Sequence, residues 1–396
     1  MKNNWQTKRL GEVCEIVNGG TPKTNVPRYW DGDILWITPK DMGRLKNIFV
    51  NDTGRKITEA GLKDSSAKII PPESIILSSR APIGYLAISK KELCTNQGCK
   101  GIVPKKELDI YFLFYFLKNS VDLLNKLGSG TTFKELSSTK LKEVQIPFPS
   151  LVEQKRIVQL LDGVFEKIEK AKGNAEKNLQ NSRELFESYL RNIFTNIDNH
   201  WEEKTIDNIG KIGTGATPLK SNKKYYGGNI SWITSKSTRN PFIKEADDYI
   251  TDLALKETNC KLNSIHTLII AMYGQGKTRG QVSELLIGAA TNQAIATVLV
   301  DENKIDRTFV KYFFVFNYET MRQMAEGGLQ LNLNLNKIKK MKIPFPKPLS
   351  QQKEIVIKLD ELSGQTRRLE EVYKQKIADL EELKKSVLDK AFKGEL

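Results

Sequence analysis

The chain has 396 residues, 62 of them lysine or arginine against 47 aspartates and glutamates, a formal net charge of +15, and 39% of it is hydrophobic. That apolar content excludes a disordered chain, the length suggests two or three domains, and the basic surplus favours a polyanion, nucleic acid first, as partner. No apolar run approaches the ~20 residues of a membrane span and the first ten residues lack an apolar signal core, so a cytosolic protein with no membrane partner is expected.

In chain order, the first elements are a polar turn, Gly19-Gly20-Thr21-Pro22, and a short apolar strand at residues 34–37 ending in Trp36-Ile37-Thr38. A second strand is predicted at 75–77, followed by Thr95-Asn96-Gln97, a short buried helix at 111–117, a Gly/Thr loop at 128–133 and Ile146-Pro147-Phe148-Pro149. The second half repeats this order. Gly215-Ala216-Thr217-Pro218, Trp232-Ile233-Thr234, the strand at 268–270, Thr291-Asn292-Gln293, the helix at 309–316 and Ile343-Pro344-Phe345-Pro346 follow at nearly constant spacing. Such colinear matching is the signature of a duplication. Between the matched motifs, residues 39–74 and 235–267 diverge, as do 78–94 and 271–290. A reader of two different targets would look like this.

Each Pro-rich segment cannot be helical, because proline lacks a donor and restricts its neighbour. A long helix should start after each, the first at a Ser150–Glu153 capping box. The first predicted seam is Ile157, Leu161, Val164, Ile168, Ala171 and Ala175, resuming at Leu185 and Tyr189. The second is Ile355, Leu359, Leu362, Thr366, Leu369, Tyr373, Leu380, Leu383 and Val387. This 3-4 spacing predicts antiparallel pairing of the two helices as a coiled coil rather than packing of each on its own domain. The basic surplus lies in the globular parts and the helices are near neutral.

Cys14, Cys94, Cys99 and Cys260 form no C-x-x-C pair, and the only histidines are His200 and His266. Reduced, buried thiols are expected, with no metal site and little room for Ser-His-Asp chemistry.

The paired Gly-x-Thr-Pro, Trp-Ile-Thr, Thr-Asn-Gln and Ile-Pro-Phe-Pro…Gln motifs, in order over essentially the whole chain, resemble the specificity subunit of type I restriction-modification systems. The resemblance implies an α+β fold: two mixed α/β target-recognition domains in tandem duplication, joined and separated by two long antiparallel coiled-coil helices. The expected limits are 1–150 and 198–348 for the domains, 151–197 and 349–396 for the helices. Each domain would read one half of a bipartite site in double-stranded DNA. The helices would set the spacing and dock two methyltransferase subunits, and a restriction/translocase subunit would join the assembly. The chain itself would be non-catalytic and hold no cofactor; S-adenosylmethionine, magnesium and ATP would belong to partner chains. The absence of an Asn-Pro-Pro-Tyr-like or Asp-Pro-Pro-Tyr-like tetrapeptide agrees with that.

Base reading asks for arginine, asparagine or glutamine; phosphate contact asks for cations, hydroxyls and free amides. In the first domain these requirements select Thr21, Lys23 and Thr24 in the Gly/Pro loop, where an ordinary turn is the alternative. They also select Lys40, Asp41 and Arg44 after a strand end, Arg80 as the foremost base or phosphate contact, then Gln97, Lys100 and Thr131. In the second domain they select Thr217, Lys220, Lys236, Thr238, Arg239, Tyr273, Gln275, Lys277, Thr278, Arg279 and Gln293, with Gln330 weaker. A rival reading takes Gly276-Lys277-Thr278 after a strand as the end of a phosphate-binding P-loop, although Ala271 stands where that pattern needs glycine. A second rival is a coiled-coil scaffold that only bridges proteins.

Overall fold

The computed structural model describes residues 5–130, 134–274, 276–325 and 333–396. The chain divides into two compact units, Met1–Glu176 with Gln375–Leu396, and Lys177–Lys374. Each unit therefore contains one globular part, the start of the helix that leaves it, and the end of the other long helix.

The first unit is built on a five-stranded sheet in the order Cys14–Asn18, Cys99–Pro104, Ile75–Ser79, Ile83–Ser89, Phe49–Val50. All its pairs are antiparallel except the last. The predicted strand at 75–77 is its centre. Its unbroken apolar run has a physical cause, because both faces are covered. Ile75 and Leu77 face a helical cluster that includes Phe112, Leu113 and Leu117, while Ile76 faces Leu35, Ile37 and Leu93 of a second sheet. That second sheet has three strands, Arg55–Ile57, Trp30–Ile37 and Leu93–Thr95.

The second unit repeats this plan. Its five strands are Gly210–Thr214, Ile295–Val300, Leu268–Ala271, Val282–Leu285 and Phe242–Ile243. Its smaller sheet is Asp248–Ile250, Tyr226–Ile233, Ala289–Thr291 and Leu262–Asn263. Even the irregularity recurs: the long strand of the smaller sheet bulges between Trp30 and Ile34 and between Tyr226 and Ile230. The left-handed residue there is Asp31 in one unit (φ 60°) and Gly227 in the other (φ 78°). The two Ile-Pro-Phe-Pro segments are strands of two-stranded ribbons, Gln145–Phe148 with Gln6–Arg9 and Lys342–Pro346 with Trp201–Thr205. A ribbon with open edges accommodates prolines that a central strand would not. The short helices are Ile110–Asn119 and Arg307–Phe316, capped by Asp109 and Asp306.

The long helices are Leu151–Thr195 and Leu349–Lys393. Ser150 accepts from the Glu153 amide at 3.4 Å, as a capping residue there should. Within each unit the two helices run antiparallel. In the first unit Lys172 meets Glu381 and Lys384 meets Glu169; in the second Arg183 Nε lies 3.3 Å from Glu370. Each helix also packs on a globular part, so pairing and packing are not alternatives. Phe392, from the second helix, sits against Phe112 and Phe116; Phe194, from the first, sits against Phe309, Phe313 and Phe316.

Each predicted seam is part of a wider buried stripe, with Ile157, Val164, Ile355, Leu380 and Val387 packed on the cores as expected. Leu161, Ile168 and Ala175 are buried as expected, but Leu185 is exposed and the second stripe runs through Val158, Phe165 and Phe186. In the other helix Leu359 and Thr366 are buried, Leu369 and Leu383 are exposed, and Val356 and Ala391 face inward. A helix that must meet both a partner helix and a domain buries a broader stripe than an isolated two-stranded seam.

The duplication extends to the polar groups that hold helix to domain. Gln154 and Gln352 are fully buried. Gln154 accepts from the Asp109 amide at 2.8 Å and donates to Glu107 and Pro149 carbonyls at 3.1 and 2.9 Å. Gln352 accepts from the Asp306 amide at 2.7 Å and donates to the Pro346 carbonyl at 2.7 Å. Tyr115 donates to Asp162, and Tyr312 to Asp360.

At one place the cores differ. Glu284, 4% exposed, lies 3.1 Å from Arg307 Nε, 3.5 Å from Lys311 Nζ and 3.0 Å from His266 Nδ1. Burial holds the Lys311 ammonium below the ordinary lysine pKa, and Glu284 opposes that shift. Glu284 pairs with Phe242 in the same register in which Ile88 pairs with Phe49. Counting from the helix caps, Arg307 and Lys311 stand where the first unit has Ile110 and Phe114. One unit has an ion cluster where the other has hydrocarbon.

Candidate nucleic-acid interface

The recurring motifs meet in one junction per unit. In the first, the Gly20 amide donates to the Thr95 carbonyl at 2.8 Å, the Trp36 indole to the Gly20 carbonyl at 3.0 Å, and the Asn96 amide to the Ile37 carbonyl at 3.0 Å. Thr21 donates its hydroxyl to the Gln97 side-chain carbonyl. In the second, the Ala216 amide reaches Thr291 at 2.9 Å, the Trp232 indole reaches Ala216 at 3.2 Å, the Asn292 amide reaches Ile233 at 3.0 Å, and Thr217 donates to Gln293. A Cβ at Gly19 or Gly215 would fall within 1.9 Å and 1.8 Å of the carbonyls of Asn96 and Thr291. The glycine of each turn is thus required by close approach of two chain segments. The Gly-x-Thr-Pro turn, the Trp-Ile-Thr strand and the Thr-Asn-Gln segment recur because they are bonded to each other.

Around each junction the divergent loops converge. The Ser79 amide donates to the Gly98 carbonyl at 2.8 Å, bringing Arg80 beside Gln97; a Cβ on Gly98 would touch Pro39, next to Lys40. In the second unit the Met272 amide donates to Ala294 at 2.8 Å, bringing the Tyr273 loop beside Gln293. Lys23, Thr24, Lys40, Arg44 and Gln97 are exposed, as are Lys220, Lys236, Arg239, Tyr273, Lys277 and Gln293. These are cations, amides and a ring on loops held by a bonded frame, the arrangement in which loops carry recognition.

Several candidates have other duties. Asp41 caps its own short helix, accepting from the Thr38 amide at 3.0 Å and hydroxyl at 2.7 Å. Thr238 is buried and donates to the Ser235 carbonyl at 2.7 Å, and Thr278 is buried too. Lys100 is 6% exposed, with Nζ 4.0 Å from Glu135; burial lowers its pKa, against the pull of that carboxylate. Arg80 is half-exposed and shares the same Glu135 at 3.6 Å. Arg279 is half-buried. Thr131, Gln275 and Gln330 lie outside the described residues.

The P-loop alternative fails on connectivity. Residues 272–281 join the antiparallel strands Leu268–Ala271 and Val282–Leu285, so Lys277 and Thr278 lead into a strand, whereas a phosphate-cradling loop opens a helix. The loop's carbonyls are also tied down: Arg322 donates to Gly276 at 2.8 Å and to Arg279 at 3.2 Å, and Tyr318 donates to Lys277 at 2.7 Å.

The cysteines are all free and buried. Burial pushes the Cys14, Cys94 and Cys99 thiols up to about 12, so they stay protonated. Among the described residues no group of three His, Cys, Asp or Glu side chains could hold a metal ion, and no helix is long and apolar enough to cross a membrane.

Sequence reading missed Arg55, an exposed cation 3.8 Å from the Trp30 ring centroid. The available signal was its place on a short strand in the segment that diverges between the two halves.

Comparison with known proteins gives one answer at three levels. The family pattern described as "Type I restriction modification DNA specificity domain" matches residues 2–177 and again 198–379. The chain is 33% identical over 296 residues to the type I restriction enzyme MjaIX specificity subunit of Methanocaldococcus jannaschii, covering 71% of this chain and 68% of that protein. Among solved structures, the HsdS subunit from Thermoanaerobacter tengcongensis superposes with a TM-score of 0.66 at 18% identity, over 100% of this chain and 98% of that one. A chain from a study of assembly and conformational transition in the type I R-M system superposes with a TM-score of 0.82 at 19% identity, over 100% and 99%. At these identities the superpositions speak for the fold.

Proposed function

The chain belongs to the type I restriction-modification DNA specificity family, whose domain it carries twice, and on that premise we propose that each unit reads one part of a two-part sequence in double-stranded DNA. The observation that carries this reading is the pair of matching Thr–Gln junctions, Thr21–Gln97 and Thr217–Gln293, each ringed by exposed cations on loops that differ between the units. A recurring frame with non-recurring loops suits two readers of unlike targets. Lys23, Thr24, Lys40 and Arg44 in one unit, and Lys220, Lys236, Arg239 and Lys277 in the other, are assigned to phosphates, with Gln97, Gln293, Arg80 and Tyr273 nearer the bases.

The helix Leu151–Thr195 passes from one unit into the other without a break, so its length is assigned to setting the gap between the two parts. The outer faces of the long helices, near neutral in charge, suit docking of two methyltransferase subunits, with a restriction/translocase subunit joining them. In this reading the chain does no chemistry of its own, and S-adenosylmethionine, magnesium and ATP are held by the partners.

Selection from a library of random duplexes tests the proposal, using the full chain purified from its own cells with the subunits that accompany it. Two short preferred blocks separated by a fixed number of unspecified bases are expected. A single uninterrupted motif would overturn the reading.

A further inference from the structure

We propose that Arg55 reads a guanine edge in the part of the site addressed by the first unit, an assignment that rests on the two-part reading above. Arg55 lies on the strand Arg55–Ile57, directly opposite Trp36. Its guanidinium carbon is 3.8 Å from the centroid of Trp30 and 5.0 Å from that of Trp36, and the two indoles meet edge to face at 5.1 Å. Both rings are fastened to the Gly/Pro loop: the Trp30 indole donates to the Lys23 carbonyl at 3.2 Å and the Trp36 indole to the Gly20 carbonyl at 3.0 Å. Thr53 fixes the strand itself, accepting from the Trp36 amide at 3.1 Å and donating to the Arg55 carbonyl at 2.6 Å.

Among the described residues Arg55 forms no ion pair; the nearby Asp52 is paired with Lys56 at 3.3 Å. A planar cation held on an aromatic floor, exposed and without a carboxylate, keeps its donor fork ready for a planar acceptor pair such as guanine O6 and N7.

The second unit identifies which DNA surface this position faces. There the residue opposite the tryptophan, Trp232, is Asp248, also exposed, and Tyr226 replaces Trp30. The position has the same register and the opposite charge. Phosphates carry the same charge along any duplex, so a carboxylate at the matching position has no phosphate to meet. Base edges differ: arginine suits guanine and a carboxylate suits the cytosine amino group. A sign that reverses between two readers on one frame therefore points to bases.

The test compares wild type, Arg55→Lys, Arg55→Ala and Asp248→Ala in the random-duplex selection, with the full chain in its native complex. Wild type should prefer guanine at one position of one block by about tenfold or more. Arg55→Ala should lose that preference and Arg55→Lys, which keeps a cation but not the planar fork, should weaken it, with every other position and the other block unchanged. Asp248→Ala should leave that guanine in place. Retention of the full guanine preference in Arg55→Ala would overturn the assignment, since alanine has no donor for guanine. An equal loss on all sequences in Arg55→Ala would also overturn it, by making Arg55 a phosphate contact. If wild type itself selects no sequence, the two-part reading falls and Arg55 falls with it.

Discussion

The two units share a sheet order, a bulge, a Thr–Gln junction and a buried glutamine clamp, yet they fill one corner of the core in opposite ways. The second unit packs Glu284, Arg307 and Lys311 where the first packs Ile88, Ile110 and Phe114. The shared junction and clamp are polar groups bonded across to a neighbouring segment; removing one strands its partner. The differing corner is self-contained in both versions, charge compensated by charge or hydrocarbon by hydrocarbon. What recurs is what other segments depend on, and what diverges is either compensated locally or turned to solvent.

The largest expected effect breaks that compensation. Glu284→Ile alone leaves Lys311 buried without its carboxylate, while the half-buried Arg307 keeps only the exposed Glu302, and should destabilise the second unit by about 3–5 kcal/mol. Adding Arg307→Ile and Lys311→Phe, which imports the first unit's solution, should restore stability to near or above wild type. Amide exchange protection of the strand Leu268–Ala271 reads this out. A single variant as stable as wild type, or a triple variant no better than the single, would show that the corner is not a closed set.

Next come the clamps. Gln154→Ala and Gln352→Ala each leave the amide of Asp109 or Asp306 unmet and should cost about 1–3 kcal/mol in their own unit. Denaturant titration of each variant measures it; a cost in only one unit would mean that the duplication of this bond is incidental. The smallest effect concerns the surface. Lys23→Ala removes one exposed cation, so DNA affinity should fall about equally on all sequences and the salt dependence should flatten by roughly one counterion. Affinity measured against salt concentration checks this, and a loss confined to one sequence would make Lys23 a base contact.

Much of this was legible in the chain itself. The duplication located the frame, and the proline segments and helices fell where backbone chemistry required. The buried stripe is wider than the seam that the spacing predicts, because periodicity reports that a helix buries a stripe, not how wide a surface it must meet. Arg80 drew attention as an arginine after a strand, but the acid that holds it, Glu135, is far away in sequence. Arg55 passed unnoticed for the same reason: its floor of Trp30 and Trp36 exists only once strands pair. Asp41, Thr238 and Thr278 look like recognition residues by type, and local capping or burial claims them.

The most direct measurement exchanges residues 5–145 for the matching segment of another member of the family and determines the sequence that the complex then selects. One block should change completely while the other block and the gap stay as they were. A change in both blocks together, or in neither, would contradict the claim that each unit reads its own part of the DNA.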